Sequence, residues 1–167
     1  MRLLARRPHT AAELSAALRR KGYAPGPIGE AVGAMIESGY IDDRRLAYNI
    51  FLSRSKRMRL GRRRLEQELR RRGVAEDDLR AAWESARDGL DEAALLEEAL
   101  AALLKREGLP VDARSFERLA RRLGRRGFPQ SEVMRVLRPL RPEAAHLPEA
   151  GPVEEDGPAR VDDDELS

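Results

Sequence analysis

The sequence predicts an all-α fold made of three tandem three-helix repeats, and two observations predict it. The first is a frame that recurs three times: a Leu, a second Leu four residues on, a basic residue, a Gly and an apolar residue. It reads Leu14, Leu18, Lys21, Gly22, Tyr23, then Leu65, Leu69, Arg72, Gly73, Val74, then Leu119, Leu123, Arg126, Gly127, Phe128. Six residues past each Gly stand Ile28, Leu79 and Val133, and ten past stand Val32, Trp83 and Leu137; the copies are offset by 51 and then 54 residues. The second observation is the lack of any stretch that alternates apolar and polar over strand length with β-branched enrichment. A fixed period of this size marks stacked repeats, which present an extended surface rather than a single deep pocket.

The elements follow in order. In repeat 1 (residues 1–38), Met1 to Arg7 is only a stub where a first helix would stand, and Thr10-Ala11-Ala12-Glu13 is a capping box that opens the next helix. Leu14 and Leu18 share one helical face. Gly22 ends that helix, because glycine takes the left-handed conformation without steric cost. A short turn leads into a helix that starts by Pro25, with Ile28 and Val32 inward. In repeat 2 (39–88), Asp42 is the N-cap of a helix over 43–58 carrying Leu46, Ala47, Ile50 and Phe51. The Leu65/Leu69 helix, Gly73 and a helix from Glu76 complete it. In repeat 3 (89–138), Asp91 caps a helix over 91–106 carrying Leu95, Leu96, Ala99, Leu100, Leu103 and Leu104. The Leu119/Leu123 helix and a helix from Gln130 follow. Each Gly turn predicts a Schellman contact: Leu18 with Tyr23, Leu69 with Val74, Leu123 with Phe128. These residues are read as core and caps, without chemistry of their own.

The net charge of +3 conceals an asymmetry: residues 139–167 hold two arginines against nine acids, a net −7, so residues 1–138 carry +10. That tail also contains Pro139, Pro142, Pro148, Pro152 and Pro158. It has too little apolar surface to offset the entropy of ordering, and a disordered acidic C-terminal tail is expected. Its role is either solubility or that of a polyanion competing with DNA for the basic body. The chain has no Cys, which excludes a disulfide framework and a thiolate metal site. It has no apolar run near 18 residues and no signal-peptide pattern, so a cytoplasmic protein without membrane association is expected.

Positive charge peaks between Arg54 and Arg72, with Lys56, Arg57, Arg59, Arg62, Arg63, Arg64, Arg70 and Arg71 opposed only by Glu66 and Glu68. Smaller clusters stand at matching frame positions: Arg19, Arg20 and Lys21, then Arg121, Arg122, Arg125 and Arg126. Superposed repeats would align them as a discontinuous basic track, suited to a phosphate backbone or to an acidic groove on a protein filament. Part of the charge has a local use: Glu66 can pair with Arg62 and Arg70, and Arg64 with Glu68, at i,i+4 spacing. Base stacking needs exposed aromatics. Trp83, Tyr23 and Phe128 fall at scaffold positions, and Tyr40, Tyr48, Phe51 and Phe116 mostly at core positions, so any nucleic-acid binding should be weak and indifferent to sequence.

No catalytic, cofactor-binding or metal site is predicted. His9 and His146 are the only histidines and lack ligand-spaced partners. No Walker or Rossmann glycine loop is present. The Asp42-Asp43 doublet is read as capping.

The segment Gly39-Tyr40-Ile41-Asp42-Asp43-Arg44-Arg45-Leu46-Ala47 resembles the most recognisable motif of the RecX regulatory proteins. Leu3-Leu4-Ala5-Arg6-Arg7 with Thr10 to Leu14 resembles that family's opening. Gly61 to Leu65 through Leu69 to Val74 resembles its second block, and Arg125 to Phe128 with Val133, Val136 and Leu137 its third. The resemblance covers residues 2 to 138 in order. It implies an elongated, curved array of three-helix repeats that lodges in the groove of the RecA–single-stranded DNA filament. It further implies restraint of RecA ATP hydrolysis, strand exchange and SOS co-protease activity by binding, not by catalysis, and a monomer is expected. The truncated first helix and the acidic tail depart from the family pattern. The residues alone leave two other readings open: a nucleic-acid-binding helical module acting without RecA, and a plain helical scaffold.

Overall fold

The structure, a computed structural model, describes residues 8–142. The expected stub over Met1–Arg7 and the acidic segment from 143 onward lie outside the described residues. Eight α-helices are present, with no strand among the described residues. They are α1 (Ala11–Arg20), α2 (Pro25–Glu37), α3 (Asp43–Met58), α4 (Arg62–Arg71), α5 (Glu76–Ala86), α6 (Glu92–Glu107), α7 (Ala113–Arg125) and α8 (Gln130–Leu137), with 3-10 turns at Arg87–Gly89 and Arg138–Leu140. None is long and apolar enough to cross a membrane.

Local chemistry sets the boundaries. The Thr10 hydroxyl accepts the Glu13 amide at 3.0 Å and the Glu13 carboxylate accepts the Thr10 amide at 3.2 Å, closing the capping box that opens α1. Asp42 accepts the Arg45 amide at 2.8 Å and Asp91 the Ala94 amide at 2.9 Å. The frame glycines all stand in the left-handed region, with φ of 88° at Gly22, 84° at Gly73 and 95° at Gly127. The 51-to-54 change of period has a physical location. Relative to its glycine, α7 begins three residues earlier than α1 and α4 do, so the extra residues form one additional N-terminal turn.

Apolar packing divides the chain unevenly. One core joins repeats 2 and 3 and includes Phe51, Leu65, Leu69, Leu79, Leu96, Leu123, Val133 and Leu137. Phe51 and Trp83 meet edge to face within it at 5.2 Å between ring centres. Leu140 of the last 3-10 turn packs against the same core. A second, small cluster gathers Leu14, Ile28 and Val32 of repeat 1 with Ile41 from the start of repeat 2, flanked by Ala11, Leu18 and Met35.

Two expectations about aromatics are corrected. Tyr23 is 57% exposed and Tyr40 72% exposed. The backbone bond from the Tyr23 amide to the Leu18 carbonyl forms at 3.3 Å, but the ring does not pack as Val74 and Phe128 do. The reason is size: the repeat 1 cluster is too small to reach the ring, whereas Val74 and Phe128 fall on the larger shared core. Tyr40 lies in the turn before α3, where Ile41 is the residue turned inward. Exposed aromatics therefore exist at both ends of α2.

Successive repeats meet through one joint, used twice. The N-terminus of the second helix of one repeat sits on the basic–Gly turn of the next. Between repeats 1 and 2, the Thr10 hydroxyl donates to the Arg72 carbonyl at 2.6 Å, and the Ala11 amide donates to the Asp43 carboxylate at 3.1 Å. Arg72 reaches back to Glu13 at 3.0 Å and to the Pro8 carbonyl at 3.1 Å. Between repeats 2 and 3, the Gly61 amide donates to the Arg126 carbonyl at 2.8 Å and the Arg63 amide to the Gly127 carbonyl at 3.3 Å. The Arg62 amide approaches Glu92 at 3.4 Å, as Ala11 does Asp43. Asp43 and Glu92 both occupy the first position of their repeat's first helix.

Candidate polyanion-binding interface

The second joint is tight enough that side chains are excluded from it. A Cβ on Gly61 would stand 2.6 Å from the Gly127 carbonyl oxygen, and one on Gly127 would stand 2.3 Å from the Arg64 amide nitrogen. This brings α4 close against the end of α7 and opens a groove between them. Its walls are Arg63, Arg64, Gln67 and Arg70 of α4, and Gly124, Arg125 and Gly127 at the α7 end, with no carboxylate among the lining residues.

The arginines differ in how far local carboxylates neutralise them. Arg62 pairs with Glu66 at 2.5 Å and lies over the Trp83 ring at 5.0 Å. Arg70 grips Glu76 with two bonds of 2.9 Å and also reaches Glu66 at 3.3 Å. Those bonds raise the Arg70 pKa and hold the Glu76 carboxyl below its ordinary range. Arg72 is committed to the joint with Glu13. Arg59 stands 3.3 Å from Glu98, within ion-pair distance but out of line for a hydrogen bond. Arg121 pairs with Glu117 at 3.5 Å, Arg122 pairs with Glu107, and Arg126 reaches the Met58 carbonyl at 3.5 Å. The predicted Arg64–Glu68 pair does not form, because Glu68 is taken by Arg54 from α3. Arg64 is left with a 3.4 Å contact to Gln67.

What remains is a smaller set than the sequence proposed. Arg63, Arg64, Arg71 and Arg125 are exposed and make no ion pair to a carboxylate among the described residues, as are Arg57 and the Arg19, Arg20, Lys21 cluster. Arg63, Arg64 and Arg125 converge on the groove; Arg19, Arg20 and Lys21 stand apart, at the end of α1.

The motif residues divide by task. Gly39 turns the chain at φ 72° and Asp42 caps α3. Asp43 ties α3 to repeat 1, while Arg44 and Arg45 are exposed. Burial pushes the Asp43 carboxyl above its ordinary range, with the Ala11 amide pulling the other way, Asp78 and Asp42 adding to the rise, and Arg72 opposing it. The joint residues Thr10, Glu13, Asp43 and Arg72 were not legible as partners. Their contacts span 32 to 62 residues, and one sequence holds no signal for such pairings.

Residues 1–33 match the RecX first three-helix domain and residues 42–82 the RecX second three-helix domain. A Regulatory protein RecX from Halorhodospira halophila is 39% identical over 135 residues, which is 80% of this chain and 80% of that one. The chain belongs to the RecX family. A second RecX, from Thermobifida fusca, is 36% identical over 138 residues, covering 83% of this chain and 74% of its own. The crystal structure of RecX from Lactobacillus salivarius aligns with a TM-score of 0.71 at 16% identity, over 83% of this chain and 90% of that one. Another crystal structure of a regulatory protein RecX aligns with a TM-score of 0.70 at 18% identity. At those identities the alignments establish the RecX helical fold and nothing finer.

Proposed function

We propose that this chain regulates the RecA recombinase by binding the RecA–single-stranded DNA filament, and that it acts by occupancy rather than catalysis. The observation that carries the reading is the groove between α4 and α7, where Arg63, Arg64 and Arg125 meet without a lining carboxylate in a member of the RecX family. Guanidinium groups in such an array hold phosphate oxygens or carboxylates through charge-assisted bonds. The joint glycines fix their spacing along a rigid seam. A filament offers both anions, on the DNA backbone and on acidic protein side chains. On this reading the protein is cytoplasmic and monomeric when free, contacts DNA without reading bases, and lowers RecA ATP hydrolysis, strand exchange and co-protease activity.

The test is RecA's DNA-dependent ATP hydrolysis with the full chain titrated in below one copy per RecA. Inhibition at such ratios supports a filament-directed regulator; its absence from folded protein overturns the reading. Arg63→Ala, Arg64→Ala and Arg125→Ala together should weaken inhibition by about tenfold or more, since each lost phosphate contact weakens electrostatic binding. Helicity should be unchanged. The locally paired Arg62 and Arg70 should matter far less to inhibition.

A second reading is favoured by Tyr23 and Tyr40, the exposed rings at the two ends of α2. Stacking of unpaired bases on them would give direct binding of single-stranded nucleic acid without RecA. Tyr23→Ala with Tyr40→Ala should then abolish oligonucleotide binding in the absence of RecA.

A further inference from the structure

We propose that the acidic segment following Pro142 is an intramolecular occupant of the α4–α7 groove, so that the interface is guarded by a polyanion of its own until a stronger one displaces it. The inference rests on the reading of that groove as a polyanion site and names its regulation.

Three observations carry it. Arg62, Arg70 and Arg72 of the α4 region are each matched to a nearby carboxylate, whereas Arg63, Arg64 and Arg125 are the groove arginines without one among the described residues. The missing complement exists elsewhere in the chain: residues 143–167 carry nine acids against Arg160 alone, in runs at Glu154-Glu155-Asp156 and Asp162 to Glu165. The chain also leaves the described structure on the correct body. Leu140 anchors the last turn to the core shared by repeats 2 and 3, the two repeats that form the groove. The first acidic run begins 12 residues past Pro142. At about 3.3 Å per extended residue it can reach roughly 40 Å from that anchor.

Attachment makes the pairing effective. A tethered segment competes at an effective concentration of about 1 mM or more, without any need for strong individual contacts. Exposed guanidinium–carboxylate pairs are weak and screened by salt, so the occupant stays displaceable. A phosphodiester strand that replaces it also releases its own condensed counterions, an advantage a short carboxylate segment lacks. The device discriminates in favour of dense, continuous polyanions.

The test compares the full chain with a full-length variant in which all nine acids of residues 143–167 are changed to their amides. Backbone amide shifts of Gln67, Gly124 and Gly127 and side-chain Nε–H shifts of Arg63, Arg64 and Arg125 are recorded in low salt and in about 0.5 M salt, where screening is short-ranged. Differences confined to these groups in low salt, and lost in high salt, are expected. Identical spectra, or differences spread over all eight helices, would overturn the proposal. A labelled oligo-dT is the second probe. The amide variant should bind about tenfold tighter, and that gain should vanish when Arg63, Arg64 and Arg125 are also Ala. An equal gain in that background would mean a net-charge effect and would sink the docking idea. The localised shifts with no oligo-dT binding by either chain would support the occupant while removing the nucleic-acid reading of the groove. Oligo-dT binding that is equal for both chains, with no shifts, would do the reverse.

Discussion

Asp43 stands beside a capping residue yet does something no cap does. Asp42 holds the start of its own helix, while Asp43 accepts the Ala11 amide from the neighbouring repeat. To do so it is partly buried, and the loss of water around a charged carboxylate outweighs the stabilising bond, leaving its pKa raised. A group whose folded pKa stands above its unfolded value contributes stability that is complete below the unfolded value and lost as pH rises through the folded one. Asp43→Asn keeps an oxygen for the Ala11 amide and removes the buried charge. The variant should therefore gain thermal stability relative to the parent on going from about pH 3 to about pH 7, the window that spans ordinary and raised carboxylate values. Unfolding temperatures of both proteins at the two pH values check this; a gap that narrows with rising pH would contradict it. The doublet also marks where sequence reading stops. An Asp ahead of a helical run announces a cap, because capping is local. Nothing local announces that the next Asp bonds a residue 32 positions away.

At the scale of elements, α4 is defined by what its start lacks. Gly61, its N-cap, has no side chain to satisfy the first amides, and none could fit. The Gly61 and Arg63 amides instead donate to the Arg126 and Gly127 carbonyls, so the helix is capped by the following repeat. Its φ of −77° is open to any residue, which makes Gly61→Ala a clean steric probe. The added methyl meets backbone, not a flexible side chain, and overpacking of that kind costs about 1–3 kcal/mol. Chemical denaturation should show that loss with an unchanged helical spectrum; a neutral substitution would refute the close seat. Helix existence and the starts at Ala11, Pro25, Asp43, Glu76 and Gln130 were legible, since periodicity, caps and Gly turns are written locally, whereas the extra first turn of α7 was not. The seat of α4 on α7 was not, because Gly61 reads as an ordinary loop glycine until the third repeat is folded against it. The Arg64–Glu68 pairing failed for the same reason: i,i+4 geometry permitted it, and a tertiary partner, Arg54, took the carboxylate.

Taken whole, the molecule is a large body and a small one. Repeats 2 and 3 share one apolar core, while repeat 1 packs a separate small cluster that takes only Ile41 from repeat 2 and is otherwise joined to it by the polar contacts of Thr10, Glu13, Asp43 and Arg72. Buried apolar area is the main source of resistance to opening, so the two bodies should differ. Hydrogen exchange should find the amides of α1 and α2 exchanging faster than those of α5 and α7, with a further rise in salt as the Arg72–Glu13 pair is screened. Uniform protection across all eight helices would show that the joint couples them into one cooperative unit. The threefold period disclosed the repeats, and composition disclosed the basic body and acidic segment. Neither disclosed which arginines are spent on neighbours: Arg62, Arg70, Arg72, Arg121 and Arg122 are, and the groove residues Arg63, Arg64 and Arg125 make no ion pair among the described residues.

The additional turn of α7 bears on how the array could be lengthened. A second helix engages its successor only through a first turn brought hard against the successor's glycine. Three extra residues at 1.5 Å each push the start of α7 about 4.5 Å beyond that seat. A successor to the third repeat would therefore meet one more turn of helix than α1 or α4 presents at its joint. A chain with residues 113–115 deleted, rather than one with a repeat merely appended, is the natural starting point for a designed longer solenoid.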